Sequence, residues 1–349
     1  MHSFARLVSV RHRVPQFIIK RTFLPNTYKM SSISREILEK QNAVTSNAVI
    51  DFFGASEKFL SLAKQEGDLT IQRDMEDGVK LEKGIDFAKS KGVIDPNYVP
   101  EPYVTLDVMG KTPVTVADEI ISKIKETGGS ADEGSVIVLC GLSGTGKGTT
   151  VAQVRQKLEA DEGKKVVTWS NGNIFRSVTL LAVTWCEQQP DIDGFDKEKA
   201  LTKENLKSFM DMLSFGKFNG EYDTKIQGLG LDMLVSEVKN TELKSPKVSK
   251  NIPTVAELTQ GEVILFAADA VETMGKDGIF VLLEGREQTV NYVRTPHRFT
   301  LVLSDESLIG KRRAAQRIMA EALSSVGDTA TDEEVGNTLK AVLDKMTTE

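Results

Sequence analysis

The sequence predicts an α/β fold, a parallel sheet flanked by helices and preceded by a mostly helical N-terminal extension. Two observations predict it. Four short apolar, β-branched runs (135–140, 164–170, 278–285 and 298–304) are each followed by polar or helically spaced sequence. Strands that alternate with helices in this way pair in parallel, with crossover helices covering both faces. Before residue 127 the spacing is helical almost throughout. With 349 residues, 40% hydrophobic and 27% charged, the chain is long enough for two domains or one large domain with an extension.

Residues 1–35 carry Arg6, Arg11, Arg13, Lys20, Arg21, Lys29 and Arg35, and the first acidic residue is Glu36. Arginine-rich, serine-bearing and acid-free is the composition of an organelle transit peptide. It points to a mitochondrial protein, with a plastid as the alternative. A start at Met30 would remove most of this leader and leave a cytoplasmic protein.

Residues 36–126 then read as mostly helical. EILEKQNAVTSNAVIDFFGASEKFLSLAKQ has near-helical apolar spacing with a break at Gly54, and Asp74 to Lys91 reads as a second helix despite Gly78 and Gly84. PEPYVTLDVMGKTP is extended. TVADEIISKIKE follows as a helix, with Thr115 as its N-cap and Asp118 completing a capping box. No catalytic constellation occurs here, so 36–126 reads as structural or as a surface for a protein partner or self-association. TGGSADEG, 127–134, has linker composition. The main domain follows from 135 to 349.

Composition excludes several classes. The net charge is −6, against the basic face that a nucleic-acid polymer needs. No run reaches the roughly 20 apolar residues of a membrane-spanning helix. Only His2, His12 and His297 occur, which rules against a multi-histidine metal site. Cys140 and Cys186 make no disulfide framework, and Cys140 sits in an apolar run as a small hydrophobe.

Chemistry concentrates in GLSGTGKGTT, 141–150. Gly141, Gly146 and Lys147 fit the start of G-x-x-x-x-G-K-[ST], with a strand before and a helix after. Glycines let successive N–H groups turn inward around an anion. The next helix adds its unpaired N-terminal N–H groups and positive dipole end. Gly141, Ser143, Gly144, Thr145, Gly146, Lys147, Gly148 and Thr149 are therefore expected to hold the phosphates of ATP, giving a phosphate-loop (P-loop) NTPase sheet. Lys147 would reach the β/γ oxygens. Gly148 stands where Ser or Thr is usual, so Thr149 is the candidate hydroxyl for Mg²⁺. Glu284, ending an apolar strand, is the second candidate for Mg²⁺.

The G-K-G form is similar to the loop of nucleoside monophosphate kinases, and five separated stretches resemble the cytidylate kinase family. Besides the loop, Ser170-Asn171-Gly172-Asn173-Ile174-Phe175-Arg176 resembles its S-G-x-x-Y-R segment, with Phe175 for the usual Tyr. Leu243-Lys244-Ser245-Pro246, with Val248 and Ser249, resembles I-R-x-x-x-V-[SA]. Leu282 to Glu287 resembles [IV]-x-D-G-R-D, and Lys311-Arg312-Arg313 part of the R-x-x-R-R lid stretch. The likeness runs from about Ser135 onward. It implies ATP-dependent phosphoryl transfer to a nucleoside monophosphate, most of all CMP or dCMP. Ser170, Asn171, Arg176, Lys244 and Arg286 would bind the acceptor; Lys147, Arg286 and Arg313 would be catalytic. Arginine suits the task because its planar fork pairs with phosphate bidentately. Residues 217–250 fall where bacterial-type members carry an insert over the acceptor base, and Tyr222 to Gln227 alternates like a small hairpin.

The departures are specific. The chain ends TLKAVLDKMTTE, without the family's R-D-x-x-D-x-x-R segment. Gly310 replaces the leading arginine of the lid stretch, and Trp169 a common Asp. The missing positive charge is either absent or supplied by the N-terminal extension. Two other readings follow: a degenerate nucleotide-binding regulatory or scaffold module, and a kinase of adenylylsulfate, whose family has loops of GLSGxGKS.

Overall fold

The structure, a computed structural model, describes residues 32–127, 134–160 and 162–348. The N-terminal part contains α1 (Arg35–Lys40), α2 (Ala43–Phe53), α3 (Glu57–Ser90), β1 (Val104–Asp107) and α4 (Pro113–Glu126). Next come β2 (Val136–Gly141), α5 (Lys147–Ala160), β3 (Val166–Trp169) and α6 (Asn171–Glu187). Short helices α7 (Lys197–Ala200) and α8 (Lys203–Asp211) lead into β4 (Leu213–Phe218), β5 (Glu221–Gly228) and β6 (Leu231–Leu234). After α9 (Val235–Val238) and a 3-10 turn (Glu242–Lys244) run α10 (Pro246–Lys276), β7 (Phe280–Glu284), α11 (Glu287–Val290) and β8 (His297–Val302). The last elements are α12 (Ser307–Leu323) and α13 (Asp332–Thr348).

The main sheet has five parallel strands in the order β1-β8-β2-β7-β3, so the strand that feeds the glycine loop is central. Period-2 alternation along β2 divides the core. Val138 and Cys140 pack on the α6 and α10 side, Ile137 and Leu139 on the α4 and α5 side. Both cysteines are buried thiols, as the apolar run around Cys140 implies. A third apolar cluster joins Ile33, Leu38, Phe59 and Leu62 to Ile318 and Leu339 of the C-terminal helices.

The α/β class and helical N-terminal part are as expected, but the boundaries differ. Strand β1 pairs with β8, with Leu106 opposite Leu301, and α4 packs on the same core as α5. Residues 36–126 therefore do not fold apart from 135–349; Ser32–Glu349 is one compact unit. The linker composition of 127–134 marks a connection within that unit, and 128–133 lie outside the described residues. The proposed leader lies mostly outside them too, but Ile33, inside its 1–35 range, is buried at 1% exposure, so the fold begins before residue 35.

Four local expectations change. The helix α3 is continuous over 34 residues, through Gly67, Gly78 and Gly84. A Cβ at Gly84 would lie 3.0 Å from Gln260 Cβ of α10, so this glycine marks a close helix crossing rather than a break. The N-cap of α4 is Thr112, whose hydroxyl accepts from Thr115 N–H with Pro113 at the first helical position. The stretch before β7, for which the sequence predicts no helix, contains the 31-residue α10, with Pro253 inside and Val263, Ala267 and Val271 fully buried. The expected hairpin is a three-stranded antiparallel sheet, β4-β5-β6.

Candidate functional site

The glycine loop leaves β2 at Gly141 and enters α5 at Lys147, at the C-terminal edge of the sheet, where open α/β sheets bind ligands. Gly141 and Gly146 have φ of 141° and 93°, and a Cβ at Gly141 would lie 2.4 Å from Leu301 O. Any other residue there would strain the backbone and strike β8. The hydroxyl of Thr145 donates back to Leu142 O at 2.9 Å, and Lys147 Nζ donates to Gly141 O at 2.8 Å and Leu142 O at 3.0 Å. The ammonium group thus braces the loop through its own carbonyls. Burial and then the Arg286 charge push the lysine below its ordinary pKa, while Glu284 and Asp74 push the other way.

A carboxylate from α3 reaches the loop. Asp74 Oδ2 accepts from Ser143 N–H at 2.7 Å, and its Oδ1 accepts from Ser143 Oγ–H at 2.8 Å and from Arg286 Nη2. Arg286 Nη2 also lies 3.3 Å from Ser143 Oγ. The Asp74 side chain is only 5% exposed. Burial raises its pKa, yet the hydrogen bonds from Arg286 and from Ser143 outweigh that and hold the carboxyl below its ordinary value. The same bond to Asp74 raises Arg286.

The loop's other flank meets α12 and α2. Arg312 Nη1 donates to Gly144 O at 2.8 Å and its Nε to Asn47 Oδ1 at 3.2 Å. Ala43 N–H approaches Thr149 Oγ1 at 3.5 Å, and Ala43 Cβ lies 3.6 Å from where a Cβ at Gly146 would stand. Thr149 therefore faces the first turn of α2. Glu284 ends β7 on the other side of the loop. Its Oε2 is buried without a hydrogen-bond partner and lies 3.8 Å from the Cβ direction of Gly148. A larger side chain at 148 would close that gap.

The remaining expected residues do not converge on the loop. Arg313 donates to Gln316 on its own helix at 3.1 Å, facing away, while its neighbour Arg312 takes the loop contact. Adjacent residues on a helix point about 100° apart, so only one of the two can face the loop. Lys244 is exposed and donates to Asn240 at 2.8 Å. Arg176 folds against the first turn of its own helix, its Nη1 3.0 Å from the Cβ direction of Gly172. Asn171 accepts from Trp169 Nε1 at 2.9 Å, and its buried Nδ2 has no partner. The tryptophan thus locks the segment where the cytidylate pattern commonly has an acid. Ser170 caps α6 without a side-chain capping bond and borders a cavity of about 330 Å³ with Trp169, Asn173, Phe215, Tyr222 and Asp223. Phe215 and Tyr222 stack there with centroids 5.3 Å apart.

A second cavity, about 300 Å³, lies between α3 and the ends of β2 and β8, lined by Asp74, Gly141, Arg286, Gln288, Thr300 and Glu306. A larger cavity of about 730 Å³ opens beside Gly134, Gly278 and Arg294, at the opposite end of the strands from the glycine loop. Among the described residues, the N-terminal part brings Asp74 and Ala43 to the loop and, through Arg312, Asn47, while Lys111, paired with Glu119, lines a small cavity with Gly146 and Thr149. Asp74 and Asn47 are the site residues that sequence reasoning missed, and of the adjacent arginines it chose Arg313 where Arg312 makes the loop contact. Asp74 is one acid among many on an amphipathic helix, and only its fold partners set it apart. No protein-family model, curated protein or solved structure matches this chain.

Proposed function

We propose that the chain binds a magnesium nucleoside triphosphate at 141–149 and transfers its terminal phosphoryl group to a nucleoside monophosphate, CMP or dCMP foremost. The observation that supports this reading is the meeting of three groups on one glycine loop: the Lys147 ammonium, the Arg286 guanidinium and the unpartnered Glu284 carboxylate oxygen. Phosphoryl transfer asks for position and charge neutralisation rather than covalent help. The loop amides and the first turn of α5 would hold the donor phosphates. Lys147 would exchange two carbonyl contacts for phosphate oxygens. Arg286, beside Ser143, lies where a cation neutralises charge between donor and acceptor. The buried, orphaned Glu284 oxygen fits a hydrated magnesium ion, which would neutralise phosphate charge when bound. Turnover with a panel of CMP, dCMP, UMP, AMP and adenylylsulfate tests the reading. Transfer to CMP or dCMP supports it, and transfer to adenylylsulfate alone replaces it with the other kinase.

A second reading, a nucleotide-binding regulatory module, is favoured by Arg176, Lys244 and Arg313 facing their own elements, and by α2 and Asp74 occupying both flanks of the loop. Binding of magnesium ATP without transfer to any acceptor selects it.

A further inference from the structure

Asp74 is an anion built into a loop shaped for anions. Its two oxygens take the Ser143 amide, the Ser143 hydroxyl and the Arg286 guanidinium. All three donors lie at the end of the loop where the Lys147 ammonium rests on Gly141 and Leu142. In loops of this form the backbone N–H groups cradle the α and β phosphates, and the lysine reaches the β and γ phosphates. Asp74 therefore occupies the terminal-phosphate end. It is not on a flap that swings clear. The helix α3 crosses α12 at Gly67 and Gly310 and packs on α10 at Gly84, with Glu66 pairing Arg317 two turns before Asp74. A third phosphoryl group entering the loop meets a fixed like charge and an arginine already neutralised.

Resting on the reading of this loop as a nucleotide cradle, we infer that Asp74 is a specificity-determining residue. It disfavours the terminal phosphoryl of a triphosphate, so the protein holds a nucleoside diphosphate more tightly than the triphosphate. The contact between α2 and Thr149 is untouched by Asp74→Asn, so it cancels when that variant is compared with the wild type.

The test is calorimetric titration of MgADP and MgATP into the full chain, into Asp74→Asn and into Asp77→Asn. Asp77 approaches the same guanidinium only to 4.0 Å and is 55% exposed, so it reports on an exposed charge near Arg286. Loss of a like-charge contact of this kind predicts a change of at least about tenfold. The wild-type protein is expected to bind MgADP tighter than MgATP by about that factor. Asp74→Asn should tighten MgATP about tenfold while changing MgADP by less than about threefold, and Asp77→Asn should leave the ratio alone. The wild-type ratio stands as a test even if the variant fails to fold. An unchanged ratio in Asp74→Asn, weaker MgATP binding there, or a wild-type preference for MgATP overturns the role of Asp74 and leaves the cradle standing. If no form binds either nucleotide, the cradle itself falls, and this inference with it.

Discussion

Gly67 of α3 and Gly310 of α12 meet backbone to backbone: a Cβ on Gly310 would stand 2.9 Å from Gly67 Cα and 2.0 Å from Ala63 O. The crossing requires glycine at position 310, because the N-terminal helix lies against its backbone. Gly310→Ala is expected to cost about 1–3 kcal/mol or more, since overpacking against main chain has no flexible partner to yield. Gly67→Ala, with 3.3 Å to Gly310 Cα, should cost less. Denaturant unfolding of both variants checks the order, and a Gly310→Ala protein as stable as the wild type contradicts the crossing.

Lys147→Met keeps the aliphatic stem and removes the charge. The fold should lose no more than the roughly 1 kcal/mol typical of a hydrogen bond, from the contacts to Gly141 and Leu142. Nucleotide binding should fall by about ten- to a hundredfold, as expected for losing a charged hydrogen bond of about 1.5–3 kcal/mol. Undiminished MgATP or MgADP affinity in a well-folded variant would remove the loop from the site.

Arg312 and Arg313 should behave differently despite adjacency. Arg312 is buried at 7% exposure and ties Gly144 to Asn47. Its replacement by alanine should destabilise by about 1–3 kcal/mol, because two inward-facing acceptors lose their donor. Arg313→Ala should stay within about 0.5 kcal/mol, as surface changes usually do. Thermal unfolding of the pair decides, and equal losses would refute the assignment.

The Asp74 carboxyl sits below its ordinary pKa in the folded protein. A carboxyl depressed by folding contributes stability above its unfolded value, near 3.9 for Asp, and that contribution is lost as pH falls further, through the folded value. Asp74→Asn should therefore flatten the pH dependence of stability below about pH 4, relative to wild type. Parallel acid-unfolding curves for the two proteins would show that the carboxylate is not held as described.

His297 carries a linkage of the same sign at higher pH. It is buried at 4% exposure, its Nδ1 lies 3.0 Å from Thr127 Oγ1, and burial lowers its pKa. A histidine that resists protonation when folded loses stability as pH falls below its unfolded value, near 6.5. Stability should rise between about pH 5 and pH 7. His297→Gln should remove that slope, measured by urea unfolding at each pH.

Much of the architecture was legible because it is written in neighbouring residues. Short continuous apolar runs announced β2, β7 and β8, and the spacing of glycines before Lys147 announced the turn that Gly141 and Gly146 make. Arg286 was legible because it directly follows an apolar strand. Helix α10 was not, since Pro253 and polar residues mask a buried face that only α6 and the sheet reveal. What the tertiary structure alone decided is which charges meet the loop. Asp74 reaches Ser143 across 69 positions and Arg312 reaches Gly144 across 168, while Arg313, one residue on, turns away. Periodicity is a local property of the chain, but electrostatic pairing depends on which helix crosses which, and here glycine crossings between distant helices set that geometry.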